Sequence, residues 1–154
     1  MLDLEQSERI EFEDALVRKF FPEFALQHDM KGNPYFVGWT GKNGRRNNYK
    51  LRLKLSSSFP DFEPELLVER PRTLRMFKDL RTINSLGCSH KYHVNGKGDK
   101  GGVKICFTDD WDASCTCVMA LLRGILWVDG YEHHLRTGET IDAYLSQVEE
   151  QVGA

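Results

Sequence analysis

Tyr49-Lys50-Leu51-Arg52-Leu53-Lys54-Leu55 is the stretch that decides the fold. Apolar and cationic side chains alternate there without interruption. Successive residues of a strand point to opposite faces, so Tyr49, Leu51, Leu53 and Leu55 share one face and Lys50, Arg52 and Lys54 the other. Such a segment is a half-buried strand of an antiparallel sheet, with a core on one side and water on the other.

Two shorter extended segments precede the strand, at 24–30 and 35–40, around a turn at Lys31-Gly32-Asn33-Pro34. A second turn is expected at Gly41–Gly44, with the solvated pair Arg45 and Arg46 behind it. Upstream, Ile10, Leu16, Val17, Phe20 and Phe21 recur among charges over residues 4–21, which predicts an amphipathic helix stopped near Pro22. Downstream, Phe59-Pro60-Asp61-Phe62-Glu63-Pro64 breaks the alternation, and Glu65–Glu69 is a further short strand ended by Pro71. Residues 72–102 carry Gly87, Gly96, Gly98, Gly101 and Gly102 and are expected to form one long irregular loop, of a length that is usually functional or disordered. Val103–Phe107 is briefly extended. Asp112 or Ser114 is expected to cap a buried helix with Val118, Leu121, Leu122, Ile125 and Leu126 on its core face, and Thr137 to cap a last helix carrying Ile141, Tyr144, Leu145 and Val148. Strands and helices are segregated along the chain. The expected class is therefore α+β: an N-terminal helix, an antiparallel four-stranded meander, a long loop, then helices, in one domain over residues 1–154.

Length and composition agree with that outline. A chain of 154 residues, 40% hydrophobic and 29% charged, can bury one sizeable core. A net charge of −2 gives no reason to expect a nucleic-acid partner. The longest apolar stretch, Val118–Val128, is interrupted by Arg123 and too short to span a bilayer. The first residues lack the positive start and apolar run of a secretion signal, so a cytoplasmic location and four free thiols are expected.

Three segments, taken in order, resemble the ubiquitin-conjugating enzyme family. Tyr49–Pro64 looks like that family's strand and the turn after it, here Phe59-Pro60-Asp61-Phe62-Glu63-Pro64. His93-Val94-Asn95 looks like its His-Pro-Asn motif, with Val94 in place of proline. Gly102-Val103-Lys104-Ile105-Cys106, followed by Trp111 and a helix, looks like the segment that carries its active cysteine. The match covers about residues 5–128. The interval from Asn95 to Cys106 is longer than the family's and that from Cys106 to Trp111 shorter. The region from Trp127 to Gly138 is similar to divergent bacterial members that accompany antiviral nucleotidyltransferases (the short form of the cyclic-oligonucleotide anti-phage system, CBASS) or belong to bacterial ubiquitin-like operons.

The resemblance implies a fold of that family and a transferase role in anti-phage defence. Cys106 would carry the C-terminal glycine of a partner protein, a nucleotidyltransferase or a ubiquitin-like protein, as a thioester and pass it to a lysine amine. A thiolate suits that task because it is both a good nucleophile near neutral pH and a good leaving group. Asn95 would donate its amide to the oxyanion or brace the loop. His93 would hold the loop, with general-base work as its lesser role. Asp109 and Asp110 would orient and help deprotonate the incoming lysine, or simply form a solvated acidic loop. No metal or organic cofactor is expected to take part. A separate activating enzyme would load Cys106, because this chain has no phosphate-binding glycine motif of its own.

Other readings of the same residues stand beside this one. A relative without activity would act only as a binding module, although such a variant is expected to lack Cys106. Cys88, His90, His93, Cys115 and Cys117 offer soft ligands at close spacing, which raises a zinc site, but the usual Cys-x-x-Cys pairs are missing. A disulfide between Cys106 and another cysteine would protect or regulate it. Trp111 reads as core packing, and His133 and His134 as surface or helix-end residues.

Overall fold

The computed structural model describes residues 3–41 and 48–152. Helix α1 spans Leu4–Phe20, opened by Asp3, whose side chain accepts from the Gln6 N–H in a capping box. Strands β1 (Ala25–His28), β2 (Pro34–Trp39), β3 (Lys50–Lys54) and β4 (Glu65–Arg70) follow as an antiparallel meander. The alternation of β3 is realised: Leu51 and Leu53 are fully buried while Lys50, Arg52 and Lys54 lie on the solvent side. Most of the turn expected at Gly41–Gly44, together with Arg45 and Arg46, lies outside the described residues.

Among the described residues the sheet has seven strands, not four: beyond β4 it continues through Val103–Ile105, then Val94–Lys97, then Cys88–Ser89. The extra strands come from the region expected to be a single long loop. Arg75–Met76 and Asp79–Thr82 (β5 and β6) form a small separate hairpin, and Ile83–Leu86 form one 3-10 turn. Cys88–Ser89 (β7), Val94–Lys97 (β8) and Val103–Ile105 (β9) then return to the main sheet beside β4. These strands are two to four residues long, too short for a period of two to show in the sequence.

Helix α2 (Cys117–Thr137) lies across the inner face of the sheet and packs on α1, and α3 (Ile141–Val152) packs on α2. Leu121, Ile125 and Val128 of α2 share one core with Leu51, Leu53, Leu66, Val68 and Ile105 of the sheet. Two expected caps are corrected. The residue that caps α2 is Thr116, whose side chain accepts from the Met119 N–H; Asp112 and Ser114 instead close a local turn upstream. Thr137 ends α2 rather than starting α3: Gly138, at φ 83°, closes α2 in the left-handed conformation that glycine adopts without strain. Thr140 accepts from the Ala143 N–H at the start of α3. Among the described residues no helix is long and apolar enough to cross a membrane.

His134 is also corrected, since it is 2% exposed rather than at the surface. Its Nε2 accepts from the Phe77 N–H, so its Nδ1 carries the proton and donates to the Glu139 carbonyl. The residue ties α2 to the hairpin and to the following turn. His133 stays half-buried against Tyr144 and Glu139.

Candidate active site

Val94 and Ile105 face each other across β8 and β9 and both point into the core. Alternation therefore turns their neighbours Asn95 and Cys106 outward, on the other face of the sheet. An irregularity in the β8–β9 register between Val94 and Lys97 falls at Asn95 and Gly96, a bulge of the kind that re-aims a side chain beside a site. Behind Cys106 the backbone is held at both ends: its N–H donates to the His93 carbonyl (2.8 Å), and the Phe107 carbonyl accepts from Arg123 of α2 (3.0 Å).

Cys106 opens onto a cleft of about 480 Å³ lined by Asp61, Phe62, Glu63, Asn95, Thr108, Asp109 and Trp111. Its Sγ is 3.9 Å from Asp109 Oδ1 and 4.0 Å from the Thr108 carbonyl. The thiol is half-buried, and that partial burial is the main cause pushing its pKa up. The charge of Asp109 adds to the rise, a bond from the Asn95 side chain opposes it, and Glu63 contributes further upward. The Trp111 indole donates to the Pro60 carbonyl (2.8 Å) and packs on Phe59 and Phe107. Trp111 is thus part packing, as read from the sequence, and part wall of the cleft.

Of the five candidates, the structure brings Cys106, Asn95 and Asp109 together at this cleft. Asp110 does not line it; its N–H is taken by the Thr108 hydroxyl, within the same turn. His93 faces away, with Nε2 2.7 Å from Asp142 Oδ1 of α3, and its carbonyl rather than its imidazole reaches Cys106. On that side Cys106 also borders an apolar groove lined by Met119, Leu122, Leu126, Leu145 and Val148.

Sequence reading missed three residues of the site. Asp61, Phe62 and Glu63 form the opposite wall, and Phe62 is 68% exposed there. The only hint was Phe62 itself, an aromatic between two prolines; the turn buries Phe59 and Pro64 and leaves Phe62 outside. It also missed Glu13. This carboxylate of α1 is wholly buried, bonded to Arg9 Nε (2.8 Å) and to the Cys117 N–H (2.8 Å). Arg9 in turn donates to the carbonyls of Ala113 (2.7 Å) and Cys115 (2.8 Å). The pair fastens the segment that leads from the cleft into α2.

All four cysteines are free thiols. Cys117 is buried, with a thiol held well above its ordinary pKa by desolvation first and by Glu13 second, which makes it unreactive. The zinc set drawn from Cys88, His90, His93, Cys115 and Cys117 does not assemble. Among the described residues the potential ligand atoms that converge are those of His90, His93 and Asp142, within 4.8 Å of one another. No family model, no curated protein and no solved structure matches the chain.

Proposed function

We propose that the chain is a ubiquitin-conjugating-enzyme-like transferase of bacterial anti-phage defence, with Cys106 as its acyl carrier. The observation that carries this reading is the convergence, at one open cleft, of a half-buried thiol, the Asn95 amide that draws its pKa down and the Asp109 carboxylate 3.9 Å from the sulfur. The order of helix, meander, a strand that ends one residue before Cys106 and a covering helix supports the fold that the sequence resemblance implies.

The raised thiol pKa suits a carrier. An acyl group exchanging between two thiols favours the more basic one, so loading from a more acidic thiol of an activating enzyme runs downhill. The same basicity makes Cys106 a poorer leaving group and lengthens the life of the thioester. In transfer, a lysine amine attacks the thioester carbonyl, the new C–N bond forms, and the C–S bond breaks to release the Cys106 thiolate. A cationic lysine would enter beside the carboxylates of Asp61, Glu63 and Asp109, give one proton to water before it attacks and a second, from the tetrahedral nitrogen, to Asp109, while the released thiolate is reprotonated from solvent. The Asn95 amide, which lines the cleft beside the thiol, would donate to the oxyanion and to the departing sulfur.

Single-turnover discharge tests these roles. The loaded protein, mixed with free lysine, is expected to lose its acyl group at a rate that falls about 10²–10³-fold in Asn95→Ala, the cost typical of one oxyanion donor. Discharge of Asn95→Ala at the wild-type rate would reduce Asn95 to a loop brace. A chain that only docks a partner would discharge nothing.

A further inference from the structure

We propose that His90, His93 and Asp142 form a binding site for a divalent d-block cation of the zinc type, joining the turn between β7 and β8 to the first turn of α3. This inference is independent of the thioester reading.

The turn builds the pair of imidazoles. The His93 N–H donates to the His90 carbonyl (3.3 Å), and His93 sits at φ 51°, a left-handed conformation uncommon for any residue but glycine. Backbone strain of this kind persists where the surrounding structure fixes it, commonly at ligand sites. As a result the two rings come to lie side by side, with centroids 5.1 Å apart. Asp142 arrives from the opposite side, secured by its own N–H donating to the Lys91 carbonyl (2.9 Å). A backbone bond therefore sets the third ligand against the other two.

The donor geometry is close to what a metal requires. His93 Nε2 and His90 Nε2 lie 2.7 Å and 3.5 Å from the same oxygen, Asp142 Oδ1. Ligand atoms about 2.0–2.2 Å from zinc stand roughly 3.4 Å apart when tetrahedral, so seating an ion requires His93 and Asp142 to part by about 0.7 Å within a set of ligand atoms that all lie within 4.8 Å of one another. Two imidazoles and one carboxylate are a borderline set that takes Zn²⁺ and its neighbours in preference to Ca²⁺ or Mg²⁺, which want oxygen. His90 is largely exposed and His93 and Asp142 partly so, which leaves a route of entry and room for water to complete the coordination. An ion held there would clamp the residue whose carbonyl receives the Cys106 N–H.

The full chain, freed of metal with a chelator, is titrated with Zn²⁺ by calorimetry and its Tm followed. One Zn²⁺ per chain with a Kd near micromolar is expected, with a Tm that rises with Zn²⁺. His90→Ala, at an exposed position that cannot disturb the core, and Asp142→Asn should each weaken binding at least tenfold. Cys88→Ser, Cys115→Ser and Cys106→Ala should bind as the unmodified chain does, and Co²⁺ in place of Zn²⁺ should show no thiolate charge-transfer band. Absence of saturable binding below millimolar Zn²⁺ would overturn the proposal. So would binding that survives His90→Ala but is lost on replacing a cysteine.

Discussion

Replacing Glu13 with alanine tests how the cleft is tied to the rest of the molecule. The carboxylate has no exposure to solvent and makes two short charge-assisted bonds, to Arg9 Nε and to the Cys117 N–H, both at 2.8 Å. Hydrogen bonds to a charged group contribute about 1.5–3 kcal/mol each. The Cys117 N–H belongs to the first turn of α2, where no carbonyl of the helix can receive it, so its bond is lost in full. Arg9 is 23% exposed in its side chain and keeps its bonds to the carbonyls of Ala113 and Cys115, so its share is smaller. The sum is about 3 kcal/mol, at the lower end of the cost of breaking a buried ion pair. In a domain of this size that lowers Tm by roughly 6–12 °C. Glu13→Gln keeps an acceptor for the Cys117 N–H and should lose about half as much. Urea denaturation with an unchanged m-value measures both. A loss below about 1 kcal/mol for Glu13→Ala would refute the view that this carboxylate anchors the start of α2.

The thiol environment predicts opposite effects on alkylation of Cys106, read in a Cys88→Ser, Cys115→Ser background. Asp109→Asn removes the nearest negative charge, lowers the thiol pKa and should speed alkylation at pH 7.5. Asn95→Ala removes the bond that favours the thiolate, raises the pKa and should slow it; both effects stay within a few-fold because the cleft is open to water. Gly38→Ala should destabilise by about 2–3 kcal/mol in a thermal melt, since an added Cβ would lie 2.6 Å from the Glu23 carbonyl oxygen and 2.9 Å from Phe24 Cα, backbone atoms with no rotamer to escape into. Cys88→Ser should leave transfer measurable, because Cys88 is an exposed free thiol on β7 and not part of the cleft lining.

What the sequence made legible follows from how local each signal is. The strand at Lys50–Lys54 announces itself because its residues share one burial period, whereas the core face expected of α2 is realised in part: Leu121 and Ile125 are buried, while Val118 and Leu126 are half-buried and Leu122 is exposed. The hairpins inside 72–102 do not, because strands of two to four residues among glycines are fixed by the neighbours they pair with. Asp112, Ser114 and Thr116 are all competent caps within five residues; Thr116 wins because Asp112 is already engaged by the Ser114 N–H. Glu13 looks like one charge among many on α1, and its burial is decided by Cys117, 104 residues away. At the site, the neighbourhood of Asn95 and Cys106 was expected from the motif alone. The acidic wall of Asp61 and Glu63 and the turning of His93 toward Asp142 depend on how distant loops meet.

Whether Cys106 carries an acyl group as a thioester is decided by intact-mass spectrometry of the chain produced together with its partner protein and an activating enzyme. The expected product is an adduct of the partner's mass less one water, located at Cys106 and released by added thiol. Cys106→Ser should show either a thiol-resistant oxyester or no adduct, and no turnover, since an alkoxide is a far poorer leaving group than a thiolate. A thiol-labile adduct that persists in Cys106→Ala, or normal discharge by Cys106→Ser, would contradict a thioester at Cys106.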